Sequence, residues 1–193
     1  MQLPVCFTHR RFGDSRGWFT ESYNAKALAE QGIEDRFVQD NHSYSAARGT
    51  LRGIHLQAPP SAQAKLVRCV RGAIWDVVVD LRAESPTYGR WEGTNLDSDE
   101  GRQLYVPVGF GHAFVTLTPD CEVIYKVSDY YAPDCEIGVI WNDRELAIDW
   151  PLDGEPELSA KDRELSTLAA FDSPFSYDGQ PFEKILGTGP DSQ

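Results

Sequence analysis

The sequence predicts a mainly β protein, an antiparallel sandwich or closed barrel with a few short helices on its outside. Two observations carry that expectation. Between Phe37 and Asn142, short segments rich in Val, Ile, Thr and aromatics follow one another, each set off from the next by Gly, Pro, Asp or Asn. At 193 residues, 41% of them hydrophobic and 25% charged, the chain is also the size of one domain that buries a core without staples.

The stretch FTHRRFGDSRGWFTESY, Phe7 to Tyr23, predicts two short strands joined at Gly13 and Asp14, the second carrying Trp18 and Phe19. Adjacent aromatics on so short a strand need a partner surface. NAKALAEQ, Asn24 to Gln31, is the clearest helix signal, with Asn24 available as a cap and Gly32 to end it. Strands follow at FVQDNHSYS, TLRGIHLQ, AKLVRCV, AIWDVVVDL, RWEGTNL, RQLYVPV, HAFVTLT, EVIYKVSDYY and IGVIWN. Pro151 ends the pattern. Residues 151–193 predict short helices and loops packed on the outside, with the closing GTGPDSQ frayed.

The formal charge of −12 argues against non-specific binding to nucleic acid, which such a surface would repel. A small anion needs only a local cluster of Arg and Lys. The opening MQLPVCFTHRRFG lacks the apolar run of a signal peptide, and no stretch reaches membrane-spanning length, so a cytoplasmic location without a membrane partner is expected. Cys6, Cys69, Cys121 and Cys135 lie far apart, as reduced and mostly buried residues would.

Chemistry concentrates between Thr50 and Leu81. His55 lies on a predicted strand, and Lys65 opens the next strand after a Pro-rich turn. A base beside a cation suits proton abstraction alpha to a carbonyl, because the cation stabilises the enolate oxygen as charge develops. A lone strand histidine is more often structural, and a lysine at a strand start is usually solvated. Alternation puts Leu51, Gly53, His55 and Gln57 on one face and Arg52, Ile54 and Leu56 on the other. Arg52 and His55 can serve one pocket only if the strand is bulged or kinked at Gly53.

VPVGFGHAF contains P-x-G-x-x-H at Pro107, Gly109 and His112, a form resembling the second half of the metal-binding cupin motif. The first half needs two histidines at alternate positions and a nearby glutamate, and here His55 is followed by Leu56 and Gln57. Two convincing ligands fall short of the three or more that a transition metal usually takes, so no metal or other cofactor is expected. In VIYKVSDYY, Tyr125 shares a face with Val127 and Asp129. It either packs with its hydroxyl bonded or serves as a general acid whose pKa a nearby cation holds down. ELSAKDREL, with Lys161 and Asp162, is by default a solvated helix face. Asp162 matters only if the chain folds back to the distal nitrogen of His55.

Taken together, these segments resemble the dTDP-4-dehydrorhamnose 3,5-epimerases, a cupin-type family. The resemblance runs through RG-x-F-x-E (Arg16, Gly17, Phe19, Glu21), QDN (Gln39 to Asn41), LRGIH, QAKLV, DVVVDLR, SPTYGRW, PVGFGHAF, YKVSDYY and LSAKD (Leu158 to Asp162). It covers nearly the whole chain. Single pieces are weak, but their common order is specific. The departures, Ile54-His55-Leu56 and Gly111-His112-Ala113, touch no reacting group.

The resemblance implies an antiparallel jelly-roll barrel, a single domain over residues 1–193, and an isomerase acting on a dTDP-sugar without a cofactor. It implies His55 as proton acceptor, Asp162 as its supporting carboxylate, Tyr125 as proton donor and Lys65 as the cation that neutralises the enolate. Arg16, Gln39, Asp40, Asn41, Arg52, His112, Glu136 and Lys161 match positions that contact the sugar nucleotide, and Tyr131 the residue that stacks on thymine. Glu21 and Phe19 match a strand that crosses to the neighbouring subunit of a homodimer, so residues 1–23 are expected to pack on or exchange with a partner. The implied reaction inverts C3 and C5 of dTDP-4-dehydro-6-deoxy-D-glucose, giving dTDP-4-dehydro-L-rhamnose. A 3- or 5-monoepimerase would share every motif. A non-catalytic sugar-nucleotide-binding cupin would lose His55 or Tyr125, and a metal-dependent cupin oxygenase would need the missing ligands.

Overall fold

The computed structural model describes residues 2–188. Its framework is two facing sheets. One has six strands in the order β13-β1-β9-β6-β11-β4, comprising β1 (Val5–Thr8), β4 (Gln39–Ser45), β6 (Lys65–Arg71), β9 (Arg102–Val106), β11 (Cys121–Val127) and β13 (Leu186–Thr188). The other has five in the order β12-β5-β10-β7-β8, from β5 (Leu51–Gln57), β7 (Ala73–Asp80), β8 (Trp91–Asp97), β10 (Phe110–Thr116) and β12 (Glu136–Gly138). Strand pairs in the two sheets are antiparallel except β1 with β13.

Alternation along each strand decides what lies between the sheets. On β7, Ile74 and Val78 join Val67, Cys69, Leu104, Phe110 and Val123 in the central core, while Val77 and Val79 face outward. That outer face is covered by Val139, Leu146, Leu168 and Phe175 from the chain after the last long strand. On the other sheet, Leu66 and Tyr105 are covered by Leu28 and Ile33. Leu28 belongs to α1 (Ala25–Glu30), capped as expected by Asn24, whose side chain accepts from the Lys26 and Ala27 amides. The central strands β5, β7 and β10 of one sheet and β6 and β9 of the other are therefore buried on most of both faces and read as near-continuous apolar runs, while β4 and β8 keep a polar, exposed or half-exposed face.

Four local expectations differ from the fold. A separate two-stranded hairpin, β2 (Phe12–Asp14) and β3 (Gly17–Phe19), turns at Ser15 and Arg16; Gly13 and Asp14 are paired within it, to Trp18 and Gly17. Before it, Val5–Thr8 forms a strand of its own against β9. The segment EVIYKVSDYY leaves the sheet at Val127, because side chains take up the backbone groups of residues 129–132. Within the predicted frayed tail, Gly187 and Thr188 pair with β1, and residues 189–193 lie outside the described region. The rest of the C-terminal part is a short helix α2 (Ala160–Arg163) and irregular chain held at Arg82, which bonds Asp80, Asp178 and the Gln180 carbonyl. Among the described residues no helix is long and apolar enough to cross a membrane.

Candidate active site

One end of the space between the sheets is polar. Lys65 begins β6, Tyr125 follows Cys121 and Val123 on the inward row of β11, and His112 stands between Phe110 and Phe114 on the inward row of β10. His55 comes from β5, which shows the irregularity expected at Gly53. Its register against β10 slips by one residue between His55 and Arg52, and Gly53 has φ +123°. A side chain there would strike Ala113 and the His112 carbonyl at 2.5 and 2.6 Å. The bulge turns Arg52 and His55 to the same side and leaves Ile54 and Leu56 in the outer core.

A cavity of about 220 Å³ is lined by Arg52, His55, Lys65, His112, Tyr125, Lys161 and Asp162, with Ser43, Phe114 and Ser159. A second of about 110 Å³ shares His55, Lys65 and Tyr125 and extends to Asn41, Gln57, Gln63, Tyr131 and Glu136. The two form one elongated site.

Within it, Asp162 folds back as required: its Oδ1 lies 2.5 Å from His55 Nε2. Ser159, the cap of α2, donates its hydroxyl to the other oxygen at 2.7 Å. Burial pushes the Asp162 carboxyl up, but the hydrogen bonds from His55, Ser159 and the Gly53 amide outweigh it and hold the group below the usual range. Asp162 is therefore an acceptor, Nε2 carries the proton and Nδ1 is left as the basic nitrogen.

Lys65 is buried, and loss of solvent lowers its pKa to about 8 against the pull of Asp76 and Glu136. Its Nζ donates to the His55 carbonyl at 3.1 Å. His112 Nε2 bonds both oxygens of the fully buried Asp76, at 2.8 and 3.0 Å. Burial pushes Asp76 up and His112 down, each partly restored by the other. Tyr125 departs from expectation in one respect: burial outweighs the Arg52 charge and raises the phenol, which stays protonated. Both histidines are thus engaged at Nε2 by carboxylates. Among the described residues no group of three or more His, Cys, Asp or Glu is placed to hold a metal ion.

A sequence profile of dTDP-4-dehydrorhamnose 3,5-epimerases matches residues 3–170. The chain belongs to the dTDP-4-dehydrorhamnose 3,5-epimerase family. It is 50% identical over 169 residues to the enzyme of that name from Pseudomonas aeruginosa, covering 87% of this chain and 92% of the relative. The crystal structure of the Bacillus anthracis enzyme, with TDP and pyrophosphate bound, matches at 55% identity and TM-score 0.81, over 83% of this chain and 91% of that one. A Legionella pneumophila epimerase in complex with dTDP-4-keto-L-rhamnose matches at 42% and 0.84, over 88% and 92%. The expected isomerase type and cupin-type fold are met.

For a member of this epimerase family, the other sequence-derived positions are distributed unevenly. Gln39 and Asn41 point inward and bond each other at 2.8 Å, while Asp40 points outward to Lys126 at 2.7 Å. Tyr131, Glu136 and Lys161 form a chain: the Tyr131 hydroxyl donates to Glu136 at 2.8 Å, and Lys161 pairs with the same carboxylate. Arg16, Phe19 and Glu21 do not reach the cavity of their own chain. Arg16 sits at the hairpin tip on Asp14, Phe19 is 65% exposed, and Glu21 bonds Asn24. Asp76 and Ser159 are site residues that the sequence expectations do not include. Each had a signal: an acid at an inward position of DVVVD, and an S-x-x-D cap ahead of Asp162.

Proposed function

We propose that the protein epimerises C3 and C5 of dTDP-4-dehydro-6-deoxy-D-glucose, giving dTDP-4-dehydro-L-rhamnose. The observation that carries this is the meeting of a carboxylate-held imidazole, a buried ammonium and a protonated phenol in one cavity. Both target carbons are alpha to the C4 ketone. His55 Nδ1 takes the proton, the C–H electron pair moves into an enolate, and the Lys65 ammonium neutralises the enolate oxygen. Tyr125 then gives its proton to the opposite face of the same carbon, and solvent restores the phenol. Asp162 holds the imidazole and stabilises the imidazolium that forms.

The diphosphate falls to Arg52 and Lys161, a local positive cluster in an acidic chain, and the base to Tyr131. His112, Gln39, Asn41 and Glu136 complete the contacts, with Asp40 acting through Lys126. Arg16, Phe19 and Glu21 enter the cavity of a second copy, making the working unit a homodimer. The exposed hairpin, with Phe12, Trp18 and Phe19 each more than half exposed, supports that reading. The test is turnover in D₂O followed by NMR. Label at both C3 and C5 is expected; label at one carbon would identify a monoepimerase, and none a binding protein.

A further inference from the structure

Where β11 ends, the chain does not simply loop away. Four consecutive residues, Asp129 to Ala132, have a backbone group bonded by a glutamine side chain. Gln63 Nε2 donates to the Asp129 carbonyl at 2.7 Å, and Gln57 Nε2 to the Tyr130 carbonyl at 3.2 Å. The Tyr131 amide donates to Gln39 Oε1 at 3.1 Å, and the Ala132 amide to Gln57 Oε1 at 3.0 Å. Gln57 also donates to the Ser61 carbonyl at 2.7 Å, so both its amide protons and its oxygen are used. That full set fixes the orientation of its amide, and the side chain is 4% exposed. The clamped segment carries two adjacent aromatic rings that face solvent, Tyr130 at 66% and Tyr131 at 54% exposure.

A segment holding two large exposed rings on so few residues would by default be mobile, and fixing it when a ligand binds would cost conformational entropy. Here its main chain is tied to β4, to β5 and to the segment just before β6, and the Tyr131 phenol is tied to Glu136 on β12, directly opposite Gln57. We infer that Gln57 and Gln63 are positioning residues that fix segment 129–132 so that its aromatic ring is already in place for a planar nucleobase. They touch no reacting atom; they act through Tyr131. The inference rests on the reading of Tyr131 as the base platform, and it adds why an exposed tyrosine can serve as one. Order established before binding leaves less to be lost on binding, so the clamp acts on affinity for the nucleoside and not on the chemical step.

The test compares Gln57→Leu, Gln63→Leu and Tyr131→Ala, using dTDP and inorganic pyrophosphate as separate probes in calorimetry. Gln57→Leu is expected to weaken dTDP about tenfold and Gln63→Leu about threefold, with pyrophosphate binding unchanged in both. In turnover, KM rises and kcat stays within about twofold. The Ala132 amide, deprived of its acceptor, exchanges faster in Gln57→Leu, a change that a general loss of stability would spread over the whole barrel. Gln63 is on the rim, and its variant keeps the test decisive if Gln57→Leu does not fold. If Tyr131→Ala weakens dTDP while Gln63→Leu leaves it unchanged, the clamp is refuted and the platform stands. If Tyr131→Ala leaves dTDP binding intact, the platform reading fails and the clamp has nothing to position.

Discussion

Asp162 Oδ1 lies 2.5 Å from His55 Nε2 although 107 residues separate the two in the chain. In the proposed mechanism the contact decides which nitrogen of His55 is the base. Removing the carboxylate frees the ring to take the other tautomer and leaves the imidazolium unsupported. Asp162→Asn is expected to lower kcat by about 10²- to 10⁴-fold with dTDP affinity nearly unchanged, measured by steady-state kinetics and calorimetry. Loss of nucleotide affinity with kcat preserved would mean that Asp162 belongs to binding.

In the proposed mechanism Tyr125 supplies its own proton to the face opposite the one from which His55 abstracts. In Tyr125→Phe the first half-reaction survives and the second does not. Substrate recovered from D₂O is expected to exchange its alpha protons with retained configuration, while epimer formation falls about 10²- to 10³-fold. Equal loss of exchange and epimerisation would remove the donor assignment.

The role proposed for Lys65 implies an alkaline limit. Its ammonium is the form that neutralises the enolate, and burial lowers its pKa to about 8, so kcat/KM is expected to fall as pH rises through that value. Stability moves the other way. Between about 8 and the ordinary lysine value of 10.5 the unfolded chain binds more protons than the folded one at this residue, so its contribution to stability grows with pH across that window. A pH–rate profile set beside denaturation at the same pH values separates the two trends. A flat profile to pH 10 would contradict the assignment.

Gly53 is where backbone geometry makes the site. A methyl group there meets Ala113 and the His112 carbonyl, and φ +123° disfavours any L side chain. Gly53→Ala is expected to cost about 2–4 kcal/mol of stability and to misplace Arg52 and His55 together. Urea denaturation and kcat/KM are the measurements, and near-normal values in both would mean that the strand relaxes without the bulge.

Glu21 lies outside the cavity of its own chain. If it serves the neighbouring subunit, a dimer of one Glu21→Ala and one His55→Ala subunit holds one intact site and one doubly defective site. Mixing the two inactive variants under exchange conditions is expected to restore about a quarter of the activity, since half the dimers are mixed and each has one working site. No recovery on mixing would place Glu21 and His55 in the same chain's site.

Much of this was legible from residue order. The central strands announced themselves because they are covered on both faces. The conflict between Arg52 and His55 on a regular strand already implied the bulge that Gly53 supplies. Less was legible wherever a contact spans distant segments. Asp162 sits in a charged run whose ordinary fate is solvent, and only the closure of α2 onto β5 buries it. The SDYY extension of β11 has strand composition, and three glutamines from elsewhere take it out of the sheet. Of the two readings open for Tyr125, packing or a phenol held down by a nearby cation, the sequence does not choose; in the fold burial outweighs the Arg52 charge and raises the phenol, and depth is a property of the fold.

The most direct measurement is a single experiment on His55→Ala: incubation with dTDP-4-dehydro-6-deoxy-D-glucose in D₂O, read by NMR, with dTDP affinity taken on the same sample. No deuterium at C3 or C5 and no epimer, with dTDP bound as in the unaltered protein, is the expected result. Deuterium entering at the unaltered rate would show that the proton leaves by another group and would contradict the mechanism at its first step.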